Sequence, residues 1–171
     1  KMLAAMLYPY SQLPETQIVD LVDGMTADQR IDLVRRYVGE RGNRRHRPGR
    51  ALERLDYRFD VLGDYGGFRD LQRHRLLTIE WQSLTPDHGY ETPEAVTNAG
   101  LSERYSGVME RSRSLYEMLL PDFPEQAGYA VAMAFRVRYV MQFNAREALH
   151  MIELRSQPQG HPNYRRIAQE M

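Results

Sequence analysis

The chain has 171 residues, 42% of them hydrophobic and 27% charged, which suits one folded domain and excludes an intrinsically disordered chain. It has no cysteine, so disulfides, thiolate metal sites and a cysteine nucleophile are excluded. Formal net charge is +0, so nothing global draws the protein to nucleic acid or an anionic membrane, although Lys1 is the only lysine and arginine supplies the other 22 of its 23 basic residues. No run of about eighteen apolar residues occurs, so no transmembrane helix is expected, and the cytoplasm is the expected compartment. The Lys-Met start reads as the edge of a piece of something longer, and the apolar stretch to Tyr10 is too short for a signal peptide.

The first forty residues read as helical. Ile18, Leu21 and Val22, then Ile31, Val34, Tyr37 and Val38, recur at spacings of three and four. Thr26 with Gln29 makes a capping box for the second of these helices, and Gly39 a stop. Residues 41–50 (RGNRRHRPGR) read as a solvated basic loop. From 55 to 62 apolar and charged residues alternate, the pattern of a half-buried strand; a glycine turn follows, then a helix from Phe68 to about Leu77. A loop from Thr85 to Gly100 leads to a helix over 102–120. Val131 to Phe143 alternate as one long strand whose wet face carries Arg136, Arg138 and Gln142. Asn144 caps a helix to about Leu154, and a last helix follows the break at 156–162. Helices mixed with a few long, non-repeating, mostly antiparallel strands give an α+β fold, a single domain over 1–171.

Two Arg-His-Arg copies carry the chemistry on offer. Arg45-His46-Arg47 lies in the basic loop; neither an aromatic platform nor net positive charge supports nucleic-acid binding through it. Arg73-His74-Arg75 follows a strand and a glycine turn, and its forked donors within one helical turn suit a pyrophosphate. Asn144, Arg146, His150, Glu153 and Arg155 share one helix. Glu147-x-x-His150-x-x-Glu153 puts carboxylates and imidazole on one face, but no second Glu-x-x-His and no His-Glu-x-x-His exists, so no metal is expected. Met141 and Met151 are expected in the core, and Trp81 is expected to pack.

Arg73-His74-Arg75-Leu-Leu-Thr78-x-x-x-x-Ser83, with the later Asn144-Ala-Arg146 running on to Leu154-Arg155, resembles the flavin-dependent thymidylate synthases, the ThyX family, over roughly residues 42–166. The family signature is R-H-R-x-x-S-x-N-x-x-S-x-R. The resemblance implies a ThyX-like fold, FAD as cofactor and a homotetramer. It also implies reductive methylation of dUMP to dTMP, with methylenetetrahydrofolate as carbon donor and NADPH as reductant. By the same likeness Arg73, His74, Arg75, Thr78, Asn144 and Arg155 would hold FAD, Arg73, Ser83 and Arg155 would meet the nucleotide, and Ser83 and Arg155 would be catalytic. The chain departs from the signature where Glu80 stands for Asn and Thr85 for the final Arg; Gly128 stands where a further family segment has Arg. Two lost charge-assisted contacts would cost roughly 3–6 kcal/mol at a dUMP site. Two alternatives remain at this stage: a degenerate domain of the same fold serving oligomerisation or regulation, and an arginine-rich nucleic-acid-binding module.

Overall fold

The computed structural model describes residues 1–171. Helices α1 (Met2–Leu7), α2 (Glu15–Asp23) and α3 (Ala27–Val38) open the chain, and the capping box of Thr26 and Gln29 starts α3 as expected. Gly39 ends α3 at φ 64°, a left-handed conformation that favours glycine. A 3₁₀ turn at Arg50–Arg54 leads into β1 (Asp56–Asp64), α4 (Tyr65–Leu71) and β2 (Leu77–Trp81). Then come α5 (Glu94–Asn98), α6 (Ser102–Leu119), β3 (Arg136–Asn144), α7 (Ala145–Arg155) and α8 (Pro162–Glu170). The fold is α+β.

The sheet has the order β1-β3-β2, and both pairings are antiparallel. Asp56 stands opposite Asn144 and Asp64 opposite Arg136, while Leu77 of β2 stands opposite Phe143. Alternation along β3 sends Val137, Tyr139, Met141 and Phe143 to one face, where they pack with Phe68 and Leu71 of α4 and Ala148 and Met151 of α7. Met141 and Met151 are fully buried, as the sequence leads one to expect. A second cluster of Met6, Ala51, Leu52 and Ala145 ties α1 and the 3₁₀ turn to the start of α7.

Two elements differ from the sequence reading. The expected helix over 68–77 stops at Leu71; residues 73–76 turn, and Leu77–Trp81 joins the sheet as an edge strand. The alternating Leu-Thr-Ile-Glu-Trp is strand chemistry that the preceding helical residues mask. The long strand begins at Arg136, not Val131. The carbonyls of Met133 and Phe135 instead accept from the N–H groups of Gly66 and Tyr65, satisfying the open first turn of α4. Met133 is therefore exposed, although the alternation assigned it to the core.

Candidate functional site

The register explains why distant residues meet. β1 begins, β2 begins and β3 ends at one end of the sheet, since Asp56 and Asn144 are opposite and Leu77 pairs with Phe143. The segment entering β1 (41–55), the turn entering β2 (73–76) and the helix leaving β3 (α7) therefore converge there. Asn144 holds the start of α7 by accepting from the Glu147 N–H, and the Leu55 carbonyl accepts from the Ala145 N–H at 2.7 Å.

Inside the convergence lies a polar network. His74, only 8% exposed, has Nδ1 2.8 Å from Oε1 of Glu147, itself 4% exposed. Its Nε2 lies 3.1 Å from Nε of Arg155. An arginine Nε–H can only donate, so Nε2 accepts and Nδ1–H donates to Glu147: the imidazole is neutral and its tautomer fixed. Burial lowers the His74 pKa, the Glu147 hydrogen bond opposes that, and the charges of Arg155 and His150 add to the lowering. His150 Nδ1 reaches both oxygens of Glu147 at 3.3 Å. Arg155 also bonds Asp70 through its carboxylate (3.3 Å) and carbonyl (2.7 Å), and its guanidinium lies 5.2 Å from the Tyr164 ring centre.

His74, Glu147 and His150 bring the ligand types of a cation site within 4.8 Å of one another, a trio missed by a search along the helix alone. Glu153, the other carboxylate of the helix motif, turns away to Arg41. With Arg155 on Nε2 of His74 and a proton on Nδ1, the trio serves as a hydrogen-bond network.

The basic loop is exposed from Gly42 to Arg47, as the sequence leads one to expect, but it is tied down at both ends. Arg41 grips Glu153 with both terminal nitrogens, at 2.5 and 2.8 Å, and its Nε bonds the His46 carbonyl at 2.6 Å. His46 Nδ1 accepts from the Gly42 N–H, and the Asn43 side chain accepts from the Arg45 N–H. At the far end Arg146 donates to the Pro48 carbonyl (3.0 Å) and to Glu53 (2.8 Å). Tyr37 Oη lies directly against Gly49, where no side chain could fit, and accepts from the Ala51 N–H. The loop is thus pinned to α7 at both ends, by Arg41 on Glu153 and by Arg146 on Pro48.

Together these segments enclose a cavity of about 690 Å³ whose wall carries eight arginines and two glutamates. Arg41, Arg50, Arg146 and Arg155 are paired with carboxylates. Arg44, Arg47, Arg73 and Arg75 line it without a carboxylate partner. The wall holds no phenyl, phenol or indole ring. Such a wall suits the phosphates and sugar of a ligand better than its rings.

The residues singled out in the sequence divide accordingly. Arg73, His74, Arg75, Asn144 and Arg155 line the cavity. Thr78 and Ser83 do not: Thr78 sits mid-strand opposite Gln142, and Ser83 is exposed beyond the far end of β2. Six residues of extended chain from Leu77 carry Ser83 roughly 20 Å along the sheet. Gly128 packs beside Leu84, so the two positions where family segments have arginine, Thr85 and Gly128, are neighbours at that far end. The arginines that could stand in for them are engaged. Arg166 and Arg136 flank Glu91, the Arg166 hydrogen bond holding that carboxyl below its usual range, and Arg138 bonds Asp60 at 3.1 Å. Trp81 rests on Phe68 with ring centres 5.4 Å apart but stays 55% exposed.

The model of the thymidylate synthase complementing protein family matches residues 2–171. The chain belongs to that family. Among solved structures it is similar to thymidylate synthase X of Helicobacter pylori, determined with FAD and dUMP, with a TM-score of 0.69 at 19% identity, covering 98% of this chain and 84% of that one. This likeness shows the thymidylate synthase complementing fold. Curated relatives named UPF0159 proteins are closer in sequence. One from Chlamydia pneumoniae is 42% identical over 98% of this chain, and one from Thermoplasma acidophilum is 36% identical over 100%. The chain spans about a third of the length of these relatives.

Arg44, Arg47, Glu147 and His150 are the site residues that sequence reasoning missed or assigned elsewhere. One signal was available: the basic loop lies a single 3₁₀ turn before the strand whose first residue pairs with Asn144.

Proposed function

We propose that this domain binds FAD in the arginine-lined cavity, and that it is related in chemistry to the reductive methylation of dUMP to dTMP. The observation that carries the reading is the meeting of Arg73, His74 and Arg75 with Asn144 and Arg155 around one cavity. The donor set fits the diphosphate of a dinucleotide, because the unpaired guanidiniums of Arg73 and Arg75 give forked, charge-assisted bonds to phosphate oxygens. Bound there, FAD would supply hydride transfer, for which no cysteine of this chain is needed. Arg155, whose guanidinium nitrogens bond His74 and Asp70, would hold the His74 ring in place beside the ligand and contribute positive charge to the site.

The absence of aromatic rings from the wall leaves the flavin and adenine faces to be covered from elsewhere. In the homotetramer that family likeness implies, Ser83 would serve a neighbouring subunit's cavity, and Thr78 would act from the sheet surface. NADPH and methylenetetrahydrofolate are the co-substrates of this reading. The pyrimidine-nucleotide site at Thr85 and Gly128 is eroded, since both stand where the family has arginine and Arg136, Arg138 and Arg166 are tied to Glu91 and Asp60.

The test is the visible spectrum of the purified chain, alone and after addition of FAD. A flavin band that follows the protein through gel filtration supports the reading. A colourless protein that takes up no FAD on titration removes it.

A further inference from the structure

We infer that Arg44 and Arg47 form a second anion subsite in the same cavity, built by the folded loop 41–50 and suited to a phosphate monoester. The inference rests on the flavin reading, because it concerns what a bound dinucleotide leaves unneutralised.

Four guanidiniums in the cavity wall have no carboxylate partner: Arg73 and Arg75 from the turn before β2, Arg44 and Arg47 from the loop before β1. The diphosphate of a dinucleotide brings two negative charges. Arg73 and Arg75 match them, and the loop pair is left facing the same space. Like charges sharing a cavity repel and favour a further anion. A phosphate monoester carries about −1.5 to −2 at pH 7 and three acceptor oxygens, which two guanidinium forks satisfy.

The loop is built for this. Arg41 is locked to Glu153, the Pro48 carbonyl to Arg146, and the backbone between them to His46 and Asn43. The N–H groups of Gly42, Arg45 and His46 and the His46 carbonyl are satisfied within the loop, while the Arg44 and Arg47 side chains are left free. Binding there requires little further ordering of the backbone. Apart from Arg73 and Arg75, which the diphosphate takes, no other unpaired arginines line this cavity, and the arginines near the eroded site are held by Glu91 and Asp60. The subsite offers a phosphate position that the signature residues no longer provide.

Two sources carry such a monoester: a nucleoside monophosphate and the 2′-phosphate of a phosphorylated nicotinamide dinucleotide. The test is calorimetric titration of the FAD-loaded protein with dUMP against deoxyuridine, and with NADPH against NADH. The expected result is that at least one phosphorylated probe binds 100-fold or more tighter than its counterpart. Preference for dUMP assigns the subsite to a substrate nucleotide, and preference for NADPH assigns it to the reductant. In the R44A/R47A variant that preference should vanish while the flavin band remains; R44Q/R47Q, read the same way, serves if the alanine pair fails to fold. R45A, outside the cavity wall, should leave the preference intact. Equal binding of both members of each pair, or a preference that survives loss of Arg44 and Arg47, overturns the subsite. The same titrations on the flavin-free protein separate the two claims. A protein that takes no FAD but shows the Arg44- and Arg47-dependent preference loses the flavin reading and keeps the subsite. A protein that takes FAD and shows no preference does the reverse.

Discussion

Arg155 donates through Nε to Nε2 of His74 at 3.1 Å, across 81 positions of sequence, and this bond decides which nitrogen of a buried imidazole carries the proton. The other nitrogen must then donate to Glu147, whose carboxylate also takes His150. One carboxylate thus orients the centre of the Arg-His-Arg turn from a helix seventy-three residues away.

Removing that carboxylate should be felt throughout the network. Glu147→Ala leaves the His74 Nδ1–H buried without an acceptor, and a lost hydrogen bond to a charged group together with that orphaned donor is worth about 2–4 kcal/mol. Glu147→Gln, which keeps an acceptor oxygen, should cost less. Urea unfolding of both variants checks the order; equal stabilities would show that the His74 contact contributes nothing.

The same imidazole sets a pH dependence. Burial holds the His74 pKa below its ordinary value of 6.5, with Glu147, His150 and Arg155 the charged or titratable groups facing it. The unfolded chain therefore binds this proton before the folded one does. Stability contributed by the neutral ring is complete above pH 6.5 and is lost as pH falls toward the folded value, at up to about 1.4 kcal/mol per pH unit. Thermal melts between pH 7 and pH 5 should show this decline, and His74→Asn, which keeps a donor toward Glu147, should flatten it. Glu53 and Glu91, whose pKa values are lowered by arginines, add their own losses only below the carboxylate range near 4.5.

FAD uptake should separate the two Arg-His-Arg copies residue by residue. Arg73 lines the cavity without a carboxylate partner, whereas Arg45 lies outside the wall. Arg73→Ala should weaken FAD roughly 10- to 150-fold, the equivalent of about 1.5–3 kcal/mol for a charge-assisted contact, and Arg45→Ala should leave it unchanged. Flavin fluorescence titration measures both, and matching losses would refute the assignment.

Much of this arrangement could be read in the sequence, for reasons that particular residues make plain. Burial alternates from Val137 to Phe143 because one face of β3 meets α4 and α7 while the other, with Arg138, Val140 and Gln142, is only partly covered. Thr26 and Asn144 announce helix starts because side-chain caps are local chemistry. β2 was hidden because Leu77 and Ile79 also suit a helix that continues from Phe68, and only the pairing with β3 decides between them. The folded state of the basic loop was illegible for a related reason. Arg41 meets Glu153 across 112 residues, and nothing in the run RGNRRHRPGR names its partner.

That long-range clamp makes a separable prediction. The Arg41 and Glu153 side chains are 15% and 31% exposed, so their bidentate pair is sheltered from solvent and from salt more than a surface bridge. Arg41→Ala should lower global stability by about 1–2 kcal/mol. Its larger effect should be local, since the loop loses its attachment to α7 while the sheet keeps its own contacts. Limited proteolysis should then cut within 42–47 faster in the variant, and unchanged cleavage would show that Arg146 alone holds the loop.

The hydroxyl of Tyr139 offers the opposite case, a polar group that the fold buries without an evident return. Tyr139 is 1% exposed at the centre of β3, and its Oη has no hydrogen-bond partner. Burial, with a further contribution from Asp64, raises its pKa, so the phenol stays neutral at every physiological pH. A buried hydroxyl without a partner costs about 1–3 kcal/mol in desolvation. The ring itself packs against Phe68 at 4.9 Å, and phenylalanine preserves that contact. Tyr139→Phe should therefore leave the core intact and raise stability by about 1 kcal/mol, visible as a higher midpoint in urea with an unchanged slope. A loss of 1 kcal/mol or more would mean that the hydroxyl is paired in solution, and would point to ordered water between Gly63 and β3.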